Sequence, residues 1–74
     1  MSRLPANLRW QELANALKKI GYLPTEFRSG THLLLRNEEG KTVTIIMRNP
    51  IKRGTMEDIL DRVGLTREQF LRLL

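Results

Sequence analysis

The sequence predicts a single α+β domain with the element order α-β-β-β-α-α. Apolar residues recur at helical spacing near the N-terminus and again in the last third of the chain. Between these segments, apolar and polar residues alternate and are interrupted by glycine-containing turns, which is typical of antiparallel strands. The 74 residues suffice for one thin two-layer core. We therefore expect one domain over residues 1–74 and a shallow site rather than a deep pocket.

The first helix is predicted from an apolar stripe that follows Asn7, which would be its N-cap. The stripe comprises Trp10, Leu13, Ala14, Leu17 and Ile20. Lys18 and Lys19 fall in the last turn, where cations complement the helix dipole, and Gly21 suits the left-handed position after the helix. The helix is therefore expected to end at Gly21, with Tyr22 folding back on its last turn.

Three strands are predicted over residues 23–28, 31–37 and 41–47. The first two meet at a turn containing Gly30. The last two meet at a three-residue loop that ends at Gly40 in the left-handed conformation.

The strand register follows from the alternation of side chains, because a slip of one residue would mix the two faces. Across the second turn, Leu35 is expected to pair with Val43. Across the first turn, Phe27 is expected to pair with Leu33, which places Arg28 beside His32. The core face then comprises Phe27, Leu33, Leu35, Val43, Ile45 and Met47. The other face comprises Glu26, Arg28, His32, Leu34, Arg36, Thr42, Thr44 and Ile46.

Two further helices are predicted near the C-terminus. Thr55 with Asp58 resembles a capping box that opens the second helix, and Gly64 ends it. Thr66 with Gln69 forms another capping box and opens a short last helix. The apolar residues of these helices are Met56, Ile59, Leu60, Val63, Phe70, Leu73 and Leu74. With the helices covering one face of the sheet, the face that carries His32 is expected to be open.

The net charge of +5 is unevenly distributed. Residues 1–53 contain ten Lys and Arg against four Asp and Glu, whereas residues 54–74 contain three against four. A basic body attracts polyanions, of which nucleic acid is the usual intracellular one. The four aromatic residues, Trp10, Tyr22, Phe27 and Phe70, are too few to favour a base-stacking platform.

The composition also excludes several kinds of site. The chain has no cysteine, so it contains neither a disulfide nor a cysteine-based metal site. One histidine and scattered carboxylates show no zinc-binding pattern, and we expect no metal and no cofactor. Residues 1–5 lack the apolar run of a signal peptide, and no segment approaches the roughly 20 apolar residues of a membrane span. A cytoplasmic protein without a membrane partner is expected.

The residues around Gly30 are the best candidates for chemistry, because they include the only histidine, His32. Imidazole is the side chain that readily exchanges protons between pH 5 and 8. RNA carries its own nucleophile, the 2′-hydroxyl, so its cleavage needs proton transfer and positive charge near the phosphate. His32 could serve as general base or general acid. Arg28 or Arg36 could stabilise the phosphate charge, and the Thr31 hydroxyl could position a phosphate oxygen.

Several segments of this chain resemble the HicA (YcfA-like) toxins of bacterial and archaeal toxin–antitoxin pairs. They are an N-terminal Leu-Pro, Leu-Lys-Lys-Ile-Gly-Tyr at residues 17–22 and Ser-Gly-Thr-His at residues 29–32. The most specific is Gly-Thr-Met-Glu-Asp-Ile-Leu-Asp-Arg-Val-Gly-Leu-Thr-Arg-Glu-Gln-Phe at residues 54–70. The resemblance extends from about Leu4 to Leu74.

This resemblance implies a double-stranded-RNA-binding-like fold, with three antiparallel strands backed by helices. It further implies a ribosome-independent mRNA endonuclease, or mRNA interferase, that a HicB-like antitoxin neutralises. The catalytic histidine of the family follows Gly-Ser and corresponds to His32, where Thr31 preserves the hydroxyl. Many relatives have another histidine after the third strand, where this chain has Arg48 and a shorter loop. Because the chain has one histidine, a mechanism with two imidazoles is excluded.

The predicted site therefore consists of a catalytic residue, His32, and a set of RNA-contacting residues. The contacting set is Arg28, Gly30, Thr31, Arg36 and Arg48. Three other interpretations remain open. The chain could be a non-catalytic RNA-binding module with the same fold, or a module whose open sheet face or edge docks another protein. His32 could also be a histidine without a role on a solvated strand face.

Overall fold

The computed structural model describes residues 6–74, except for the side chains of residues 26–29. A three-stranded antiparallel sheet has the order β1-β2-β3, so each strand pairs with its neighbour in the chain. The elements are α1 (Trp10–Lys18), β1 (Leu23–Ser29), β2 (His32–Arg36), β3 (Thr42–Ile46), α2 (Arg53–Val63) and α3 (Arg67–Leu73). The predicted α+β class and element order are confirmed. Within residues 6–74, none of the helices has the length and apolar character of a membrane span.

The core lies between the three helices and one face of the sheet. Side chains on β2 and β3 alternate between buried and exposed or half-buried positions, as predicted. The buried side chains of the described residues are Leu8, Leu13, Ala16, Leu17, Tyr22, Leu33, Leu35, Val43, Ile45, Ile51, Met56, Ile59, Leu60 and Phe70. Met47, which was expected in the core, is half-buried because it follows the last residue of β3. The predicted faces of Glu26, Phe27 and Arg28 lie outside the described side chains.

The beginning of α1 differs from the prediction. The helix begins at Trp10 with Arg9 as N-cap, so the assignment of Asn7 as the cap is wrong. A side chain from another part of the chain replaces it: Asn49 Oδ1 accepts a hydrogen bond from the Trp10 amide at 2.8 Å. The loop between β3 and α2 is also tied to this end of the helix, since the Ile51 amide donates to the Leu8 carbonyl at 2.9 Å.

The left-handed conformation of Gly21 is confirmed, although the regular helix ends earlier than predicted, at Lys18. Gly21 has a φ of 97°, in the left-handed region that favours glycine. The Tyr22 amide donates to the Leu17 carbonyl at 3.0 Å, which closes the helix in the manner of a Schellman motif. Tyr22 is buried, so the chain folds back onto the last turn as expected.

The register between β1 and β2 corrects the predicted pairing. Ser29 pairs with His32 and Arg28 pairs with Leu33, so Arg28 is not the cross-strand neighbour of His32. The physical reason is the length of the turn. Gly30 and Thr31 form a two-residue turn in which only the glycine has positive φ, the pattern of a type II′ turn that matches strand twist.

The register between β2 and β3 confirms the prediction. Leu35 pairs with Val43, and His32 pairs with Ile46. The connecting loop has three residues and ends at Gly40, whose φ is 85°. The loop is closed by hydrogen bonds between the residues that flank it, including Asn37 N–H to the carbonyl of Lys41 at 2.9 Å.

Of the two capping boxes predicted near the C-terminus, one is absent and one is present. The expected Thr55–Asp58 capping box is wrong, because α2 begins at Arg53 after Lys52 and no side chain caps it. The Thr66–Gln69 box at the start of α3 is confirmed, with Thr66 Oγ1 accepting from the Gln69 amide at 3.1 Å. At the other end of α3, Lys19 Nζ donates to the Leu73 carbonyl at 2.6 Å and thereby ties α1 to α3.

Candidate functional site

His32 is the first residue of β2 and follows directly after the Gly30–Thr31 turn. Its side chain is exposed and lies on the face of the sheet opposite the helices. Ile46 is directly across from it on β3 and is 37 % exposed. The only histidine of the chain therefore stands at one end of a shallow, accessible surface.

The surface around His32 will be called the open face. It consists of the outward side chains of β2 and β3, which are His32, Leu34, Arg36, Thr42, Thr44 and Ile46. Leu34 is half-buried and the others are exposed. Hydroxyl, guanidinium and imidazole groups thus share one side of the sheet. The arrangement suits a large external ligand and not a small molecule enclosed in a cavity.

Arg36 lies at the far end of the open face. It pairs with Thr42, whereas His32 pairs with Ile46, and the two residues are four positions apart on β2. At the rise of an antiparallel strand this corresponds to about 13 Å between their Cα atoms. Only a ligand that extends along the strand could reach both Arg36 and His32.

Arg48 lies at the end of the sheet where His32 stands. The Met47 amide donates to the Thr31 carbonyl at 2.6 Å, which continues the ladder one step beyond β3. The Arg48 amide then donates a hydrogen bond to the Ile46 carbonyl at 2.9 Å. The Arg48 backbone therefore lies near the Gly30–Thr31 turn, and its exposed side chain lines a groove that leads toward α2. Along the β2–β3 ladder, Arg48 is two residues beyond Ile46, the cross-strand partner of His32.

Arg28 and Gly30, two of the three remaining members of the predicted site, differ in what the structure describes, and the third, Thr31, is half-buried. The side chain of Arg28 lies outside the described residues, and its backbone pairs with Leu33. Gly30 has room for a Cβ, since nothing lies within 4 Å of that position. The glycine is therefore required by its φ of 58° and not by a close approach.

A groove adjoins the open face and brings in a cation that the sequence interpretation did not assign. Its volume is about 210 Å³, and it lies between the end of β3 and the start of α2. The lining residues are Ile46, Arg48, Pro50, Ile51, Lys52 and Thr55. Lys52 is the residue that was missed. The signal for it was present in the basic run Lys52–Arg53, but only the fold brings Lys52 beside Ile46, the cross-strand partner of His32.

The described cations near the open face have no ion-pair partner among the described carboxylates. Among the described residues, the ion pair within 4 Å joins Arg67 to Glu57 at 2.5 Å, on the side of α2 and α3. Arg36, Arg48, Lys52 and Arg53 are exposed and make no such pair with a described carboxylate. Their combined field favours a polyanion at the open face.

The described residues contain no cluster of three or more His, Cys, Asp or Glu side chains that could hold a metal ion. What the open face combines is one proton-transfer group, nearby positive charge and a shallow accessible surface. Those are the elements needed to bind a phosphodiester and to assist attack by an internal nucleophile. No protein-family model matches the chain, and no curated protein matches it.

Proposed function

We propose that this chain is a HicA-like endoribonuclease, the mRNA-cleaving toxin of a toxin–antitoxin pair, with His32 as its catalytic residue. The observation that carries the proposal is the exposed imidazole on the open face, with Arg48 beyond the same end of the ladder. The element order α-β-β-β-α-α is compatible with a double-stranded-RNA-binding-like fold followed by one further helix. Such folds recognise RNA by shape and through phosphate and 2′-hydroxyl contacts, which a basic domain of this size can supply.

The proposed reaction uses the nucleophile that RNA already contains. The 2′-oxygen attacks the adjacent phosphorus and the bond from phosphorus to the 5′-oxygen breaks. A 2′,3′-cyclic phosphate and a 5′-hydroxyl result. One proton leaves the 2′-hydroxyl and one proton is delivered to the 5′-oxygen. Because the chain has a single imidazole, His32 performs one of these transfers and water performs the other.

Positive charge near the phosphate is the second requirement of this reaction. Arg48 is assigned to the scissile phosphate, because it lies at the His32 end of the sheet. Lys52 and Arg36 are assigned to neighbouring phosphates, the first through the adjoining groove and the second at the far end of the open face. Thr31 is half-buried and precedes His32 in the chain, and its hydroxyl is assigned to orienting a phosphate oxygen.

A HicB-like antitoxin is the proposed protein partner. Among residues 6–74, no helix or strand covers the open face, since β2 and β3 present it directly and the helices lie on the other side. Inhibition would then require a separate protein that covers His32. An antitoxin with carboxylates in place of RNA phosphates would match the cations of this surface and associate with it rapidly.

The test is cleavage of a labelled mRNA by the purified chain in EDTA. The wild-type chain should cut RNA, and His32→Ala should lower the rate by roughly 10²–10⁴-fold. Unfolding free energy should change by less than about 1 kcal/mol, because the side chain is exposed. Asn15→Ala, which removes an exposed polar group from α1, is the control and should cut like the wild type.

The substrate itself provides a further control. A 2′-deoxy substitution at the cleaved position should block cutting there, because it removes the nucleophile. RNA binding without cleavage by the wild-type chain would contradict the enzyme and support a non-catalytic RNA-binding module. Full activity of His32→Ala would exclude the assigned catalytic residue.

A further inference from the structure

The free edge of β3 is the strongest feature of the fold that the proposed function does not use. Its five residues, Thr42–Ile46, are all β-branched, which is the residue class most suited to strands. They include no proline and no charged side chain, the usual means of blocking an exposed edge. The opposite edge differs, since β1 contains Pro24 and its pairing shifts between Pro24 and Arg28.

The hydrogen bonds at the two ends of the β2–β3 ladder show which backbone groups point outward. Met47 donates to Thr31, and Asn37 donates to Lys41. Hydrogen-bonded pairs recur every second residue in an antiparallel ladder, so Val43 and Ile45 direct their backbone groups toward β2. Thr42, Thr44 and Ile46 therefore direct theirs to the free edge.

These outward groups have almost no partners within the part of the chain that the structure describes. The Ile46 carbonyl accepts from the Arg48 amide. No backbone or side-chain hydrogen bond from another described residue reaches the outward groups of Thr42 and Thr44. An exposed ladder of this kind is a template for a further strand.

The edge is complementary to a second copy of itself. In an antiparallel pairing centred on Thr44, Thr44 lies opposite its own copy and Thr42 lies opposite Ile46 of the other copy. All three are residues whose backbone groups point outward, so the strands pair without a bulge; the Ile46 carbonyl, which already accepts from the Arg48 amide, would be shared between that amide and Thr42 of the other copy. The cross-strand pairs are then Thr–Thr and Thr–Ile, with no like charges facing one another.

Two opposite charges on α2, Asp58 and Arg62, are placed so that the same two-fold axis would pair them between copies. A groove of about 260 Å³ runs between β3 and α2 and is lined by Val43, Thr44, Thr55, Asp58, Ile59 and Arg62. Asp58 and Arg62 are four residues apart on the groove side of the helix and form no ion pair with each other. A two-fold axis beside Thr44 sets α2 antiparallel to its copy. Asp58 of one copy then faces Arg62 of the other.

We propose that the chain forms a symmetric dimer through the β3 edge, with α2 facing its copy across the axis. The result is a continuous six-stranded sheet whose two open faces lie on the same side. Both His32 residues are then exposed on one surface. This inference does not depend on the proposed ribonuclease function, since a dimer can form whether or not the open face cuts RNA.

The test is the molar mass of the purified chain across a wide range of concentration, at a salt concentration that screens the net positive charge. The mass should rise from the 8.6 kDa of one chain toward twice that value. Asp58→Arg and Arg62→Asp should each shift the monomer–dimer midpoint to at least tenfold higher concentration. The double exchange, which swaps the two charges, should restore the dimer. Asp61→Arg makes the same charge change on another side of α2 and should have no such effect.

A second variant addresses the strand itself. Thr44→Pro removes an amide that points away from β2, so it should abolish the dimer while leaving the internal ladder intact. If this variant does not fold, Thr44→Lys puts like charges opposite each other on the axis and should have the same effect. A mass of one chain at every concentration would overturn the proposal. So would equal effects of Asp58→Arg and Asp61→Arg, or capture of another protein's strand by an edge that never dimerises.

Discussion

Two arginines on the same surface have different expected roles because of where the ladder places them. Arg48 lies just beyond Ile46, the partner of His32, whereas Arg36 pairs with Thr42 about 13 Å along the strand. A cation aimed at the phosphate where charge develops affects the rate of the chemical step. A cation on a distant phosphate affects association.

Arg48→Ala should therefore lower the rate of RNA cleavage at saturating RNA by about 10²-fold or more. Arg36→Ala should leave that rate near the wild-type value and should weaken RNA binding. The slope of log binding constant against log salt concentration should become less negative by about one unit. Arg72→Ala removes an exposed cation from α3 and serves as the control for charge alone. Single-turnover cleavage and a salt titration of RNA binding separate these effects. Equal rate losses for Arg36→Ala and Arg48→Ala would refute the assignment of one scissile-phosphate cation.

The start of α1 shows how an element depends on a residue far along the chain. Asn49 Oδ1 accepts from the Trp10 amide at 2.8 Å, and its amide group donates to Gln11 Oε1 at 3.3 Å. The same loop carries Arg48 and continues to Lys52, so the cap also holds the segment that lines the groove beside the open face. The stability of α1 and the positions of Arg48 and Lys52 therefore both depend on the Asn49 side chain.

Asn49→Ala should lower the free energy of unfolding by about 0.5–2 kcal/mol, the usual effect of removing a helix cap. Asn7→Ala is the matched control, because Asn7 is exposed and is not the N-cap of α1. Chemical denaturation of the two variants measures the difference directly. A larger loss for Asn7→Ala than for Asn49→Ala would contradict the capping assigned by the structure. RNA cleavage by Asn49→Ala should also fall, because the Arg48–Lys52 segment loses its attachment to α1.

At the scale of the whole molecule, the positive charge is unevenly distributed along the chain. Residues 1–53, which include the three strands, contain ten Lys and Arg against four Asp and Glu, whereas residues 54–74, which include α3, contain three against four. This excess favours a polyanion, or an inhibitor with an acidic face, on the part of the domain that carries the open face.

In a complex with the proposed antitoxin, hydrogen exchange should slow over residues 28–36 and 46–48, a footprint that includes Arg28, His32 and Arg36. The helices should exchange as they do in the free chain. Association should slow steeply with added salt, because the charges that guide the encounter are screened. Protection confined to the helices would mean that the antitoxin does not act by covering the open face.

The sequence by itself determined the features that depend on neighbouring residues. The apolar stripes, the turns at Gly21, Gly40 and Gly64 and the Thr66 capping box each follow from a few adjacent positions, and each is present. The pairing of Leu35 with Val43 was also predictable, because a three-residue loop and strict alternation leave one consistent register. The exposed position of His32 follows from the same alternation.

Only the tertiary structure decided the features that join distant parts of the chain. The cap of α1 comes from Asn49, 39 residues away, and no local pattern could indicate that hydrogen bond. The pairing of Ser29 with His32 depends on how two strands close around Gly30 and Thr31, and the irregular pairing of β1 removes the alternation that would have shown it. The location of Arg48 and Lys52 in the groove beside Ile46, the partner of His32, likewise results from where the loop after β3 packs. Local sequence sets turns and faces, whereas long-range hydrogen bonds and packing set which side chains meet.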